Sequence, residues 1–134
     1  MTFVASWTGQ AHPVPIRGAA DLSGVLDAVY RLIGAGETGE ILRLRRADGA
    51  VMEVWLDVPD CGGWAFSFTD PDGRAWLTGS GPLRDGEPAL DFRYYDAWNQ
   101  LPVSCFVPGP TGRSVLFEFA ATGRLLDAVP WRAL

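Results

Sequence analysis

The spacing of apolar residues divides the chain into short strands and two helices. Phe3, Ala5 and Trp7 fall on one side of an extended segment, as residues two apart in a strand do. His12 to Ile16 is proline-rich and reads as extended loop. The clearest helix starts at Asp21, a residue suited to an N-cap. Leu22, Val25, Leu26, Val29, Leu32 and Ile33 then form one continuous stripe, with Ser23, Asp27 and Arg31 on the other side. Gly34 is suited to end that helix, because glycine accepts the left-handed conformation common there.

Alternation of period two follows. Ile41 to Arg46 sets Leu42 and Leu44 against Arg43 and Arg45, and Asp48-Gly49 supplies a hairpin turn. Val51 to Val58 places Met52, Val54, Leu56 and Val58 inward and Glu53, Trp55 and Asp57 outward. Cys61-Gly62-Gly63 breaks the run. Trp64 to Thr69 alternates Trp64, Phe66 and Phe68 with Ala65, Ser67 and Thr69. Asp70-Pro71-Asp72-Gly73 is a turn sequence, since Asp bonds its own backbone, Pro presets φ and Gly accepts positive φ. Arg74 to Thr78 is a short strand, and Gly79 to Pro88 a polar loop. Leu90 to Tyr95 alternates again, and Leu101 to Val107 is a further strand that Pro102 places at an edge or a bend.

A second helix spans about Pro110 to Thr122, buries Val115, Leu116, Phe119 and Ala120, and ends at Gly123. Val129-Pro130-Trp131 reads as a last short extended segment. Strands joined by tight turns must pair antiparallel. The expected fold is therefore α+β: a mainly antiparallel sheet of about five to seven strands in a meander, with two helices packed on one face. Residues 1–134 form one domain, without internal repeat or linker.

Composition narrows the function. Sixteen Asp and Glu against 11 basic residues give a net charge of −5, which excludes a general nucleic-acid binder and suits a basic partner. All 11 basic residues are Arg, as a GC-rich genome would dictate. Arg43, Arg45 and Arg93 should face solvent or pair with nearby carboxylates. The N-terminus lacks the basic and apolar regions of a secretory leader, and no apolar run reaches the roughly 20 residues of a membrane span. Cys61 and Cys105 are expected as free thiols in a reducing cytoplasm.

Catalytic groups are few. His12 is the only histidine and sits between proline-rich neighbours, a loop setting. Three His and Cys residues scattered along the chain make no zinc pattern, so neither metal nor cofactor is expected. No nucleophile elbow is present. Gly34-Ala35-Gly36-Glu37-Thr38-Gly39 spells the dinucleotide-binding pattern but follows a helix instead of opening one. Phosphate there would meet helix carbonyl oxygens and two carboxylates, Glu37 and Glu40, so the segment reads as a connector.

Asp57, Asp60, Asp70 and Asp72 surround the second and third hairpin ends. They read as turn residues or as an acidic rim facing a partner, and a carboxylate pair among them would suit a small hydrolase. Six Trp are many for this length. Trp64 and Trp131 belong to the core, whereas Trp55 and Trp98 are candidates for exposure. Tyr95, Asp96 and Trp98 combine aromatics with a carboxylate, the composition of an interface hot spot, or else cover a sheet edge.

The last third carries a recognisable pattern: Phe92-Arg93-Tyr94-Tyr95, Leu101-Pro102-Val103-Ser104, a Val107-Pro108 step, the helix Val115 to Arg124 ending Phe119-Ala120-Ala121-Thr122-Gly123-Arg124, and Val129-Pro130-Trp131. About 40 residues, Asp91 to Trp131, resemble the first-numbered family of immunity proteins in bacterial polymorphic toxin systems. One departure is Arg124-Leu125-Leu126 where that family commonly has Arg-Pro. The resemblance implies a small α+β protein, cytoplasmic and non-enzymatic, that binds a cognate toxin as a heterodimer. The toxin would be a basic nucleic-acid deaminase or, second, a nuclease, and the immunity protein would block its active site. Contacts with it are expected at Asp57, Asp60, Asp70, Asp72, Tyr95, Asp96 and Trp98. A carboxylate-dependent hydrolase and a ligand-binding module are the competing classes.

Overall fold

A computed structural model describes residues 2–8, 12–36, 38–57, 63–95 and 97–134. Glu37, Val58, Asp60, Cys61, Gly62 and Asp96, each of which carries an expectation above, lie outside the described residues. The chain runs β1 (Phe3–Ser6), β2 (Val14–Ile16), α1 (Ala19–Gly36), β3 (Gly39–Arg46), β4 (Val51–Leu56), β5 (Trp64–Thr69), β6 (Ala75–Thr78), β7 (Ala89–Tyr94), β8 (Ala97–Pro102), a single 3-10 turn (Val103–Cys105), α2 (Gly109–Thr122) and β9 (Trp131–Ala133).

The strands form one sheet in the order β2-β1-β3-β4-β5-β6-β9, with β7 joined to β3 and β8 to β7. Among the described residues every strand pairing is antiparallel except β3 with β7, which is parallel over Gly39↔Phe92 and Glu40↔Arg93. The α+β meander is as expected. Nine strands are present among the described residues, above the expected count. β2 arises from the proline-rich stretch, because an edge strand tolerates Pro15. β8 begins at Ala97, ahead of the expected Leu101, because it is held by pairing with β7 and not by an apolar pattern of its own.

Helix α1 starts two residues before Asp21 and continues through Gly34 to Gly36. Asp21 lies inside the first turn, and its carboxylate accepts the Arg17 backbone N–H at 2.9 Å. This bond ties the residue before the cap to the first turn, and Gly18 is the cap, its carbonyl accepting the Leu22 N–H at 3.2 Å. The chain leaves α2 at Gly123, whose φ of 74° is the left-handed conformation expected of a C-terminal glycine.

Both helices pack on one face. Leu22, Val25, Leu26, Val29 and Ile33 of α1 and Val115, Leu116 and Phe119 of α2 meet Phe3, Leu42, Leu44, Met52, Val54, Trp64, Phe66 and Phe68 of the sheet. The other face carries a second, smaller core. Ile41, Trp55, Ala65 and Leu77 are covered by Phe92, Leu101 and Cys105, with Leu90, Tyr94 and Phe106 beside them. Trp55 is therefore buried, at 8% exposure, against the expectation of an outward residue. Alternation placed it on the face away from the helices, and the β7–β8 hairpin covers that face. Gly39 permits the closure: a Cβ there would run into the Phe92 ring and stand 2.9 Å from the Leu56 carbonyl oxygen.

Candidate functional site

Successive hairpins place their connections at alternate ends of the sheet. β4 ends and β5 begins beside the start of β3, and the β3–β4 and β5–β6 turns lie at the other end. β5 separates the two ends by its six residues, about 20 Å. Asp57 thus stands apart from Asp70 and Asp72, and a hydrolytic pair of Asp57 with Asp72 is not formed. Asp60 and Asp96 lie outside the described residues.

At the turn end, Asp48 and Asp70 are held by arginines of their own hairpins. One Asp70 carboxylate oxygen accepts the backbone N–H of Asp72 at 3.0 Å and of Arg74 at 2.9 Å, and the other accepts Arg74 Nε at 2.8 Å. Burial pushes the Asp70 pKa up, but these Arg74 and Asp72 interactions outweigh it and hold the carboxyl below its ordinary value. Arg74 also lies 3.6 Å from the exposed Asp72. Arg46 bonds both oxygens of Asp48 at 2.8 Å, which lowers the Asp48 pKa. A further Arg46 nitrogen donates to the Gly123 carbonyl at 2.9 Å, placing positive charge at the C-terminus of α2.

The opposite edge is built differently. Glu40 shares the inward parity of Leu42 and Leu44 and is fully buried. Its Oε1 accepts Arg93 Nε at 2.8 Å and Nη2 at 2.6 Å, while Oε2 has no hydrogen-bond partner among the described residues. This ion pair clamps β7 to the sheet. A Cβ at Gly36 would stand 3.2 Å from the same guanidinium, so Arg93 also faces the C-terminus of α1. The helix end of the apparent dinucleotide motif therefore receives an arginine of the chain itself.

Tyr94 secures the hairpin tip. Its hydroxyl shares a 3.0 Å hydrogen bond with Ser6, and the Arg43 guanidinium sits 4.9 Å from its ring centre. Arg43 is paired with Glu53 at 3.1 Å. Two residues, Tyr95 and Asp96, connect Tyr94 to Ala97. Tyr95 has a φ of 54°, the one positive value at a non-glycine among the described residues. Its backbone N–H donates to Thr8 Oγ1 at 2.7 Å, which holds the strained turn against the end of β1. Tyr95 is exposed, and Trp98, opposite Arg93 in the ladder, is 63% exposed. The structure thus brings Tyr95 and Trp98 together on one hairpin.

Two features escape a reading of the sequence. Arg132 is buried, and its hydrogen-bond partners among the described residues are distant, Ser80 O at 3.5 Å and Cys105 Sγ at 4.0 Å. Burial raises the pKa of the Cys105 thiol, a free cysteine. Above them lies an open recess of about 510 Å³ lined by Ser80, Arg84, Asp85, Glu87 and Ser104 among others. Glu87 accepts the Ser104 backbone N–H at 2.8 Å, and its pKa is lowered by the bonding from Ser104. Nothing in the spacing of Arg132 signals burial, since it depends on how β9 meets β6. His12 is exposed, and among the described residues no three His, Cys, Asp or Glu gather as metal ligands do.

The residues that carry the sequence resemblance are structural. Phe92 fills the second core, Phe119 contacts Phe3 and Phe68 at ring distances of 5.0 and 5.6 Å, Gly123 caps α2, and Trp131 Nε1 donates to the Leu126 carbonyl at 3.1 Å. The family model described as Immunity protein Imm1 matches residues 10–133. The chain belongs to the Imm1 immunity protein family. No curated protein and no solved structure matches it. An Imm1 protein is an immunity protein against a toxin, so its working surface is one that binds another protein. Among the described residues no helix is long and apolar enough to cross a membrane.

Proposed function

We propose that this Imm1 protein is cytoplasmic and neutralises a toxin that acts on nucleic acid, a deaminase foremost and a nuclease second, by covering its active site or substrate cleft in a one-to-one complex. The observation that carries this reading is the β7–β8 hairpin, where Trp98 is 63% exposed beside Tyr95 on a backbone held by Arg93, Tyr94 and Thr8. An exposed Trp on a rigid support is the side chain that most often anchors a protein interface.

Charge supports the same reading. A nucleic-acid enzyme needs a basic cleft. A chain of net charge −5, with Arg43, Arg46, Arg74 and Arg93 held in ion pairs, competes for such a cleft and does not bind nucleic acid itself. Opposite charge raises association rates to roughly 10⁸–10⁹ M⁻¹s⁻¹ at low salt, which suits capture of a toxin before it acts. The proposed contacts are Tyr95, Asp96 and Trp98 at the hairpin, joined by Asp57 and Asp60 of the β4–β5 connection. Asp70 and Asp72 form a separate patch at the far end of the sheet, reached only by a toxin that spans both ends. The interaction needs no cofactor.

The test is to mix the purified protein with the toxin domain encoded beside it. A one-to-one complex on size exclusion with loss of toxin activity is expected. No complex and undiminished activity overturns the proposal.

A further inference from the structure

Among the described residues three strands border the sheet, and they differ in how well they are closed to another strand. β2 has three residues with Pro15 at its centre. β9 has three residues with Arg132 at its centre. β8 has six, Ala97–Pro102, reading Ala-Trp-Asn-Gln-Leu-Pro with no charge and with proline only at its last position. Short length, proline and charge are the usual guards of a sheet edge, and β8 lacks all three over its first five residues.

The β7–β8 ladder identifies the open groups. A two-residue turn closes at Tyr94↔Ala97, followed by Arg93↔Trp98, Phe92↔Asn99, Asp91↔Gln100 and Leu90↔Leu101. Antiparallel ladders alternate hydrogen-bonded and non-bonded pairs, beginning with a bonded pair next to a two-residue turn. Trp98 and Gln100 therefore direct their backbone N–H and C=O away from β7. Among the described residues neither backbone bonds to anything outside the ladder.

The geometry points to strand addition: an extended segment of the toxin pairs with the free edge of β8 through the main chain of Trp98 and Gln100, and the Trp98 ring packs over it. This rests on the toxin-binding reading above and adds its mode of recognition. The incoming strand is basic. Asp91 flanks the edge, its carboxylate held by the Gln100 amide at 2.8 Å, and Arg93, the one basic side chain of the hairpin, is committed to Glu40. A second copy of the chain would bring two hairpins bearing Asp91 and Asp96 together within a pair of molecules of net charge −5 each, which charge repulsion opposes.

Amide hydrogen exchange of the full-length protein, alone and in its toxin complex, tests the inference together with two substitutions. Gln100→Pro removes one outward N–H at a position where an edge strand tolerates proline. Gln100→Ala keeps that N–H. In the complex, the Trp98 and Gln100 amides should slow by about a hundredfold or more, and Gln100→Pro should weaken binding about tenfold, the worth of one main-chain hydrogen bond. Gln100→Ala should bind within about threefold of the parent protein. The circular dichroism of Gln100→Pro should match that of the parent, and loss of its fold moves the decision to the exchange data alone. A complex that forms with both amides still exchanging freely overturns strand addition and leaves toxin binding standing. Failure to form any complex overturns both. Protection of these amides in a toxin-free dimer assigns the edge to a second copy and also overturns the inference.

Discussion

Two hairpin turns of this sheet treat their polar groups in opposite ways. At the β5–β6 turn, Asp70 takes three hydrogen bonds from its own loop and Arg74 closes over it. Pro71 and Gly73 suit the backbone, and Gly73 takes the positive φ of 88°. At the β7–β8 turn, a tyrosine occupies the left-handed conformation at a cost of about 1–2 kcal/mol, and Trp98 beside it stays in solvent. The first turn is closed on itself. The second is strained, supported from behind and open in front, the arrangement expected of a surface completed by a partner.

Changes that loosen the support of the second turn should cost most. Arg93→Ala leaves the buried Glu40 carboxylate without its cation, and a loss of about 3–5 kcal/mol in stability is expected by urea unfolding. Arg93→Lys should recover part of it, because an ammonium cannot make the same two bonds. A change below about 1 kcal/mol for Arg93→Ala would mean that the hairpin is not clamped through this pair.

Trp98→Ala separates binding from folding. With its ring mostly in solvent, the melting temperature should move little, while toxin affinity falls by about 2–4 kcal/mol in calorimetry. The complementary change, Asp70→Ala, should lower the melting temperature and leave affinity unchanged. If both variants lower affinity alike, the two turns are functionally equivalent and the contrast between them is lost.

Tyr95→Gly should raise stability by about 1 kcal/mol, because glycine removes the left-handed strain, provided the Tyr94–Tyr95 contact contributes less. Toxin affinity should fall with the ring. A fall in melting temperature would show instead that the packing of Tyr95 outweighs the strain it introduces.

The smallest effect concerns pH. Asp48, Asp70 and Glu87 have folded pKa values below their ordinary ones. The unfolded chain therefore binds more protons as pH falls through the carboxylate range, near 4. The stability these groups contribute is fully present above that range and lost as pH falls through their lower folded values. Asp70→Asn should be less stable than the parent at pH 7, and the gap should close toward pH 3. A gap that widens in acid would reverse the assigned sign.

Both helices and strands β1 and β3 to β7 were legible because each obeys one period, whereas β2, in its proline-rich stretch, and the first half of β8 obey none. The stripe from Leu22 to Ile33 has one face to bury, and Gly123 has one conformation to adopt. What covers a face is not periodic. Trp55 alternates with Glu53 and Asp57 as an outward residue would, and only the return of β7 and β8 across that face buries it. The acidic set looked continuous along the chain, yet hairpins alternate ends, so Asp57 and Asp70 part by the length of β5. Glu40 was readable in principle, since it keeps step with Leu42 and Leu44. Trp98 was recognised from its neighbours, but its place at the edge of the sheet depends on which strands pair, and among the described residues β8 pairs with β7 alone.

Titration of the neighbouring toxin's activity with the parent protein and with Trp98→Ala tests most directly whether the β7–β8 hairpin is where this immunity protein works. The parent should abolish activity at one equivalent, and Trp98→Ala should require at least about thirtyfold more, the equivalent of a 2 kcal/mol hot spot. Equal potency of the two proteins, or activity undiminished by an excess of the parent, would contradict it.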